Sequence, residues 1–137
     1  MATAAGYSGK PLAAKLGYAP SIRVLLIDAP VDYQSLLGDM PSGVTFVAKP
    51  GAGVRIAHVF STSLSDLASR LADLASQLPA DTPIWVSWPK KASKVPTDIT
   101  EDRIRDVALP LGLVDVKVCA VDAVWSALKL VRRKALR

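Results

Sequence analysis

Residues 83–91, Pro-Ile-Trp-Val-Ser-Trp-Pro-Lys-Lys, constrain the fold of this chain more than any other stretch. Two prolines bound a run of β-formers with almost no polar alternation. A run of that kind belongs to a strand covered on both faces. It ends abruptly in Lys90 and Lys91, so the strand delivers two cations to the rim of a sheet.

The rest of the chain arranges itself around that strand. Residues 11–16 read as a short helix with Pro11 at its first position and Gly17 as its stop. Residues 22–28 form a second continuous apolar run, strand one, ending at Asp28-Ala29-Pro30. One or two helical turns fit residues 33–37, a short strand residues 44–47, and a third strand residues 55–60. The best helix follows: Leu64, Leu67, Leu71, Leu74 and Leu78 make one stripe, Ser63 with Asp66 supplies the N-terminal cap, and Pro79 ends it. A further helix starts at Thr100 as N-cap, with Ile99 and Ile104 placed as a hydrophobic staple, and Pro110 disturbs its last turn before Gly112. From Leu113 the period changes to two, and a reversal at Asp122-Ala123 leads into residues 125–132, an antiparallel hairpin.

With 137 residues, half hydrophobic and 21% charged, the chain is long enough for one core without staples. No apolar run reaches the roughly 18 residues that cross a bilayer, and the first six residues lack the basic and apolar regions of a secretory signal. The expectation is a cytoplasmic protein with no membrane association. The lone Cys119 excludes an internal disulfide and, with only His58 beside it, a Cys/His zinc site. The net charge of +5 is uneven: six basic and six acidic residues lie up to Trp88, eleven and six from Pro89 onward. That excess reads as a solvated basic tail, or as a surface for phosphates and acidic partners.

Motifs with chemistry are scarce. Gly9-Lys10 ends like a phosphate-binding loop, but Pro11 replaces the hydroxyl residue and no strand precedes it. Gly51 and Gly53 open no helix and read as a loop. His58, mid-strand with Ile56 and Phe60 on its face, reads as a hydrogen-bonded core residue, and Cys119 as structural.

Alternating strands and helices ending in a strand, reversal and strand predict an α/β fold: one Rossmann-like three-layer domain over residues 22–132, with a mostly parallel sheet of about six strands and a C-terminal antiparallel hairpin. An N-terminal segment (1–21) and a basic tail (133–137) flank it. Topologically this resembles a truncated class I S-adenosylmethionine-dependent methyltransferase. The segments 7–17, 85–91, 112–122 and 125–131 also resemble a bacterial domain-of-unknown-function family, which carries no established activity. The methyltransferase resemblance implies S-adenosylmethionine as cofactor, yet the turn after strand one, Asp28-Ala29-Pro30-Val31-Asp32, lacks the expected glycines. Ala48-Lys49 stands where an acidic ribose ligand belongs, Ser61-Thr62-Ser63 replaces an Asn-Pro-Pro-aromatic turn, and one strand-helix unit is missing.

In open parallel sheets ligands gather at the carboxyl edge, where strand order reverses. That edge collects Asp28, Ser61, Thr62, Ser63, Lys90 and Lys91. Hydroxyls and free N–H groups at a helix start, with two lysines, suit a small anion. The sequence therefore reads as a non-catalytic domain binding a small anion or a protein, with no catalytic or metal residues and no assured cofactor. One alternative is a transferase using S-adenosylmethionine through a degenerate loop. Another is weak nucleic-acid binding by the basic C-terminal third. A homo-oligomer is compatible with either.

Overall fold

The expected strands form as β1 (Arg23–Ile27), β2 (Thr45–Val47), β3 (Val54–Phe60), β4 (Ile84–Pro89), β5 (Leu113–Ala120) and β6 (Trp125–Arg132). They appear in a computed structural model that describes residues 10–136. The expectations for residues 1–9, Gly9 included, and for Arg137 lie outside the described residues. One six-stranded sheet runs in the order β2-β1-β3-β4-β6-β5. Strands β1 to β4 are parallel, and β6 is antiparallel to both β4 and β5.

β4 is buried at all six positions and β3 at all but Arg55, as their unbroken apolar runs require. Their side chains alternate between two cores. One holds Val59, Ile84, Val86 and Trp88 beneath α3 (Leu64–Gln77) and α4 (Glu101–Ala108). The other holds Ile56, Phe60 and Trp85 beneath α1 (Leu12–Leu16) and α2 (Tyr33–Leu36). The result is three layers, with helices on both faces of the sheet, the α/β architecture the element order predicts.

Local signals act as the sequence indicates. Ser63 Oγ accepts from the Asp66 N–H at 3.3 Å and Thr100 Oγ1 from the Arg103 N–H at 3.2 Å, which starts α3 and α4. Leu67, Leu71 and Leu74 put the stripe of α3 into the core, each contributing about 1.5–3 kcal/mol of apolar burial. Pro110 turns the end of α4 into a 3-10 turn, Leu109–Leu111, closed by left-handed Gly112 at φ 80°. Pro11 is the N-cap of α1 rather than its first helical residue. The Trp85 indole donates to the Leu16 carbonyl at 3.0 Å, tying α1 to the sheet.

The chain crosses from β2 to β3, on the other side of β1, through residues 48–53 alone. No helix covers this crossing, because β2 has only three residues and a short turn suffices to return.

Candidate functional site

The strand order reverses beside β1: the chain moves out to β2 and then back across to β3. The carboxyl ends of β1 and β3 lie side by side at this reversal, and ligands of open α/β sheets settle at such points. Asp28, the residue after β1, sits in the left-handed region at φ 57°. Asp tolerates that conformation better than most side chains, since its short carboxylate bonds locally. The turn after β1 thus gets its positive φ from an aspartate instead of a glycine, and carries a carboxylate where a glycine offers bare backbone.

β3 ends in Phe60, and Ser61-Thr62-Ser63 lead into α3. Asp28, Phe60, Ser61, Thr62, Ser63, Asp66, Arg70 and Trp125 line an open cleft of about 240 Å³. Arg70 bridges the cleft to Asp28 at 3.1 Å, with both side chains largely exposed. The Phe60 and Trp125 rings meet edge to face at 5.1 Å and form its aromatic wall. Formal charges of the lining sum to −1: two carboxylates against one guanidinium.

Of the residues singled out in the sequence, the structure brings Asp28, Ser61, Thr62 and Ser63 together around this cleft. Lys90 and Lys91 do not line it. They follow β4 into a 3-10 turn, Lys91–Ser93, where the Lys90 N–H donates to the Val124 carbonyl. Nor are the N–H groups of the α3 start all free. Asp98, from the loop before α4, accepts from the Leu64 N–H at 2.8 Å, and Ser63 takes that of Asp66. The helix end thereby holds a carboxylate of the chain's own, favourable to its dipole. Asp66, Arg70, Trp125 and Phe60 line the cleft without having been singled out for it by the sequence. The first two lie on the polar side of α3, three and seven residues beyond Ser63, and a helical projection from the cap exposes them.

A second polar constellation lies under the α1 and α2 face. Tyr18 and Tyr33 hydroxyls are 2.5 Å apart, Tyr33 Oη lies 2.8 Å from His58 Nδ1, and His58 Nε2 lies 2.6 Å from Ser87 Oγ. His58 and Ser87 are fully buried. Burial lowers the His58 pKa to about 3, so the ring is neutral, one nitrogen donating and the other accepting. Burial likewise raises Tyr18 to about 12 and Tyr33 well above the ordinary phenol value. The chain of hydroxyls satisfies the histidine, and the described residues contain no buried side-chain N or O atom without a partner. Ser87 and His58 have the spacing of a nucleophile and base, but with both at 0% exposure no substrate reaches them. Cys119 is half-buried, and its burial raises the thiol pKa more than Lys15 and Lys117 lower it. Among the described residues no group of three or more His, Cys, Asp or Glu residues forms a metal site, and no helix is long and apolar enough to cross a membrane.

No family model and no curated protein matches the sequence, so no family model supports the resemblance to an uncharacterised bacterial family. Solved structures do match. A S-adenosylmethionine-dependent methyltransferase from Aquifex aeolicus aligns with TM-score 0.61 at 12% identity, covering 85% of each chain. An O-methyltransferase of neocarzinostatin biosynthesis, in complex with S-adenosylmethionine and a naphthoic acid, aligns with TM-score 0.62 at 11% identity, covering 88% of this chain and 50% of its own. The magnesium protoporphyrin IX methyltransferase of Synechocystis with bound S-adenosylhomocysteine gives TM-score 0.54 at 12% identity over 89% of this chain and 78% of its own. The chain spans half of the neocarzinostatin O-methyltransferase and less than half of LepI, solved in complex with S-adenosylmethionine. At these identities the likeness shows the fold, and this chain has the α/β fold of S-adenosylmethionine-dependent methyltransferases.

Proposed function

We propose that the cleft between the ends of β1 and β3 binds an adenosyl ligand of the S-adenosylmethionine type, and that the chain is a small transferase using it. The observation that carries this reading is the charge and position of the cleft. It lies at the reversal point of a fold whose solved examples hold S-adenosylmethionine or S-adenosylhomocysteine, and its lining is net negative. A small anion suits such a lining poorly. S-adenosylmethionine carries a sulfonium, an ammonium and one carboxylate, a net cation that two carboxylates and a guanidinium complement.

The residues fit the group in kind. Asp28 and Asp66 are acceptors for its cationic centres, Arg70 a partner for its carboxylate, and Trp125 a flat apolar surface for a base or a sulfonium. The Asp28–Arg70 bridge is solvent-exposed and of a class contributing roughly 0–1 kcal/mol, so opening it to admit a zwitterion costs little. At about 240 Å³ the cleft falls below the roughly 300 Å³ of common ligand pockets, so the ligand keeps part of its surface in water. When bound, the cofactor would supply an electrophilic methyl group and leave as S-adenosylhomocysteine; whichever of Asp28 and Asp66 does not hold its ammonium would accept the proton released by the methylated oxygen or nitrogen.

Calorimetric titration with S-adenosylmethionine, S-adenosylhomocysteine and sulfate tests the reading. The cationic cofactor is expected to bind about five-fold more tightly than its neutral product, the equivalent of about 1 kcal/mol of partly screened attraction. Asp28→Asn removes that preference and keeps the left-handed turn, which Asn tolerates. Silence with both adenosyl compounds at millimolar concentration, or heat with sulfate alone, overturns the proposal.

A further inference from the structure

β5 closes the sheet on the side away from β2. It is eight residues long, pairs only with β6, and among the described residues no other element hydrogen-bonds to its outer backbone groups. Val116 and Val118 are 55% and 53% exposed along it. An edge of this length with exposed β-branched residues is a template for another strand.

Its charges say what kind. Lys117 stands directly opposite Lys129 of β6 in register, on the face that carries Cys119 and Ala127, and its Nζ reaches the Lys15 carbonyl at 3.5 Å. Like charges placed directly across a ladder destabilise it, and neither lysine has a salt bridge among the described residues. The one carboxylate of β5, Asp115, is on the opposite face and is held by Arg105 at 3.1 Å. Residues 1–9 hold no carboxylate either. A second copy is a poor occupant: pairing β5 with itself about its midpoint gathers two copies of Lys117 and Lys129 with no acid between them. The extra residue at Val116, where the register with β6 shifts, further bends the edge away from a flat self-pairing.

We propose that β5 is a docking edge for an extended acidic segment of a partner protein, added as a seventh strand with carboxylates facing Lys117 and Lys129. Main-chain hydrogen bonds to the open edge supply attachment, Val116 and Val118 apolar contact, and the lysine pair the choice of acidic sequence. This proposal is independent of the cleft.

The probe is a capped heptapeptide, acetyl-Thr-Glu-Val-Glu-Val-Glu-Thr-amide, set against its counterpart with Lys for Glu, followed by amide hydrogen exchange of the full chain. The acidic peptide is expected to slow exchange along β5 alone, and the basic one to leave it unchanged. Lys117→Glu pairs favourably with Lys129 and keeps the fold, yet weakens acidic-peptide binding about ten-fold. Equal protection by both peptides, no protection at millimolar peptide, protection by duplex DNA instead, or a dimer that Lys117→Glu abolishes would each overturn it.

Discussion

At the scale of single residues the buried hydroxyl-imidazole chain has the clearest consequences. The His58 pKa is about 3 in the folded protein against an ordinary 6.5. As pH falls below 6.5 the unfolded chain takes up the imidazole proton first, so stability from keeping His58 neutral is complete above 6.5 and drains away toward pH 3. The loss is on the order of a few kcal/mol. Denaturant midpoints across that window are expected to fall more steeply for the natural protein than for His58→Gln; equal slopes in both would count against the chain. Ser87→Ala strands His58 Nε2 in the core and costs about 1–3 kcal/mol at neutral pH, read from chemical denaturation. At the surface the sign reverses. Lys117→Glu turns the like-charged pair with Lys129 into an opposite one, and is expected to add about 0.2–1 kcal/mol. The core role of His58 was legible from its apolar neighbours at positions 56 and 60. Its surroundings were not, because Tyr33 and Ser87, its partners, and Tyr18, which bonds to Tyr33, lie 25, 29 and 40 residues away and come together only in the folded chain.

Among the elements, α3 matters most, since its N-terminal end borders the cleft and its stripe fills one core. Both ends are held by side chains. Ser63 and Asp98 serve the first N–H groups, and at the other end Arg132 of β6 donates to the carbonyls of Ala75 and Leu78. Ser63→Ala is expected to cost about 1 kcal/mol and to loosen the Ser61 to Ser63 turn that borders the cleft. A thermal midpoint unchanged from the natural protein would mean that Asp98 alone secures the helix start. By position Arg132 belongs to the basic C-terminal third. The structure uses it as a clamp on α3, and uses Arg105 to gather Glu101, Asp102 and Asp115. Two cations of that third are thus engaged in holding elements together, a use that net charge by position does not reveal.

For the whole molecule, the titrating groups set a window. Tyr18, raised to about 12 from 10, contributes stability that is complete below pH 10 and is lost as pH rises toward 12, because the unfolded phenol ionises first. With His58 setting the acid side and the raised Cys119 thiol and both tyrosines the alkaline side, thermal midpoints are expected to be nearly level between pH 6.5 and 9 and to fall on both flanks; Tyr18→Phe should make the alkaline flank shallower, the share set by Tyr33 remaining. The elements follow from local sequence alone: period-two and period-3.6 apolar patterns, proline and glycine stops, and two helix caps are read within a few residues. So does the fold class, since strands apolar on both faces require cover on both. Which ends meet is a matter of three-dimensional packing. The reversal beside β1 brings Asp28 to Arg70, and sends Lys90 and Lys91 away from them. The hydroxyl chain around His58 closes between elements far apart in sequence, and the hairpin leaves β5 as an open edge. These depend on strand order, and strand order is set by the packing of both cores at once, a property of the folded whole rather than of any one stretch.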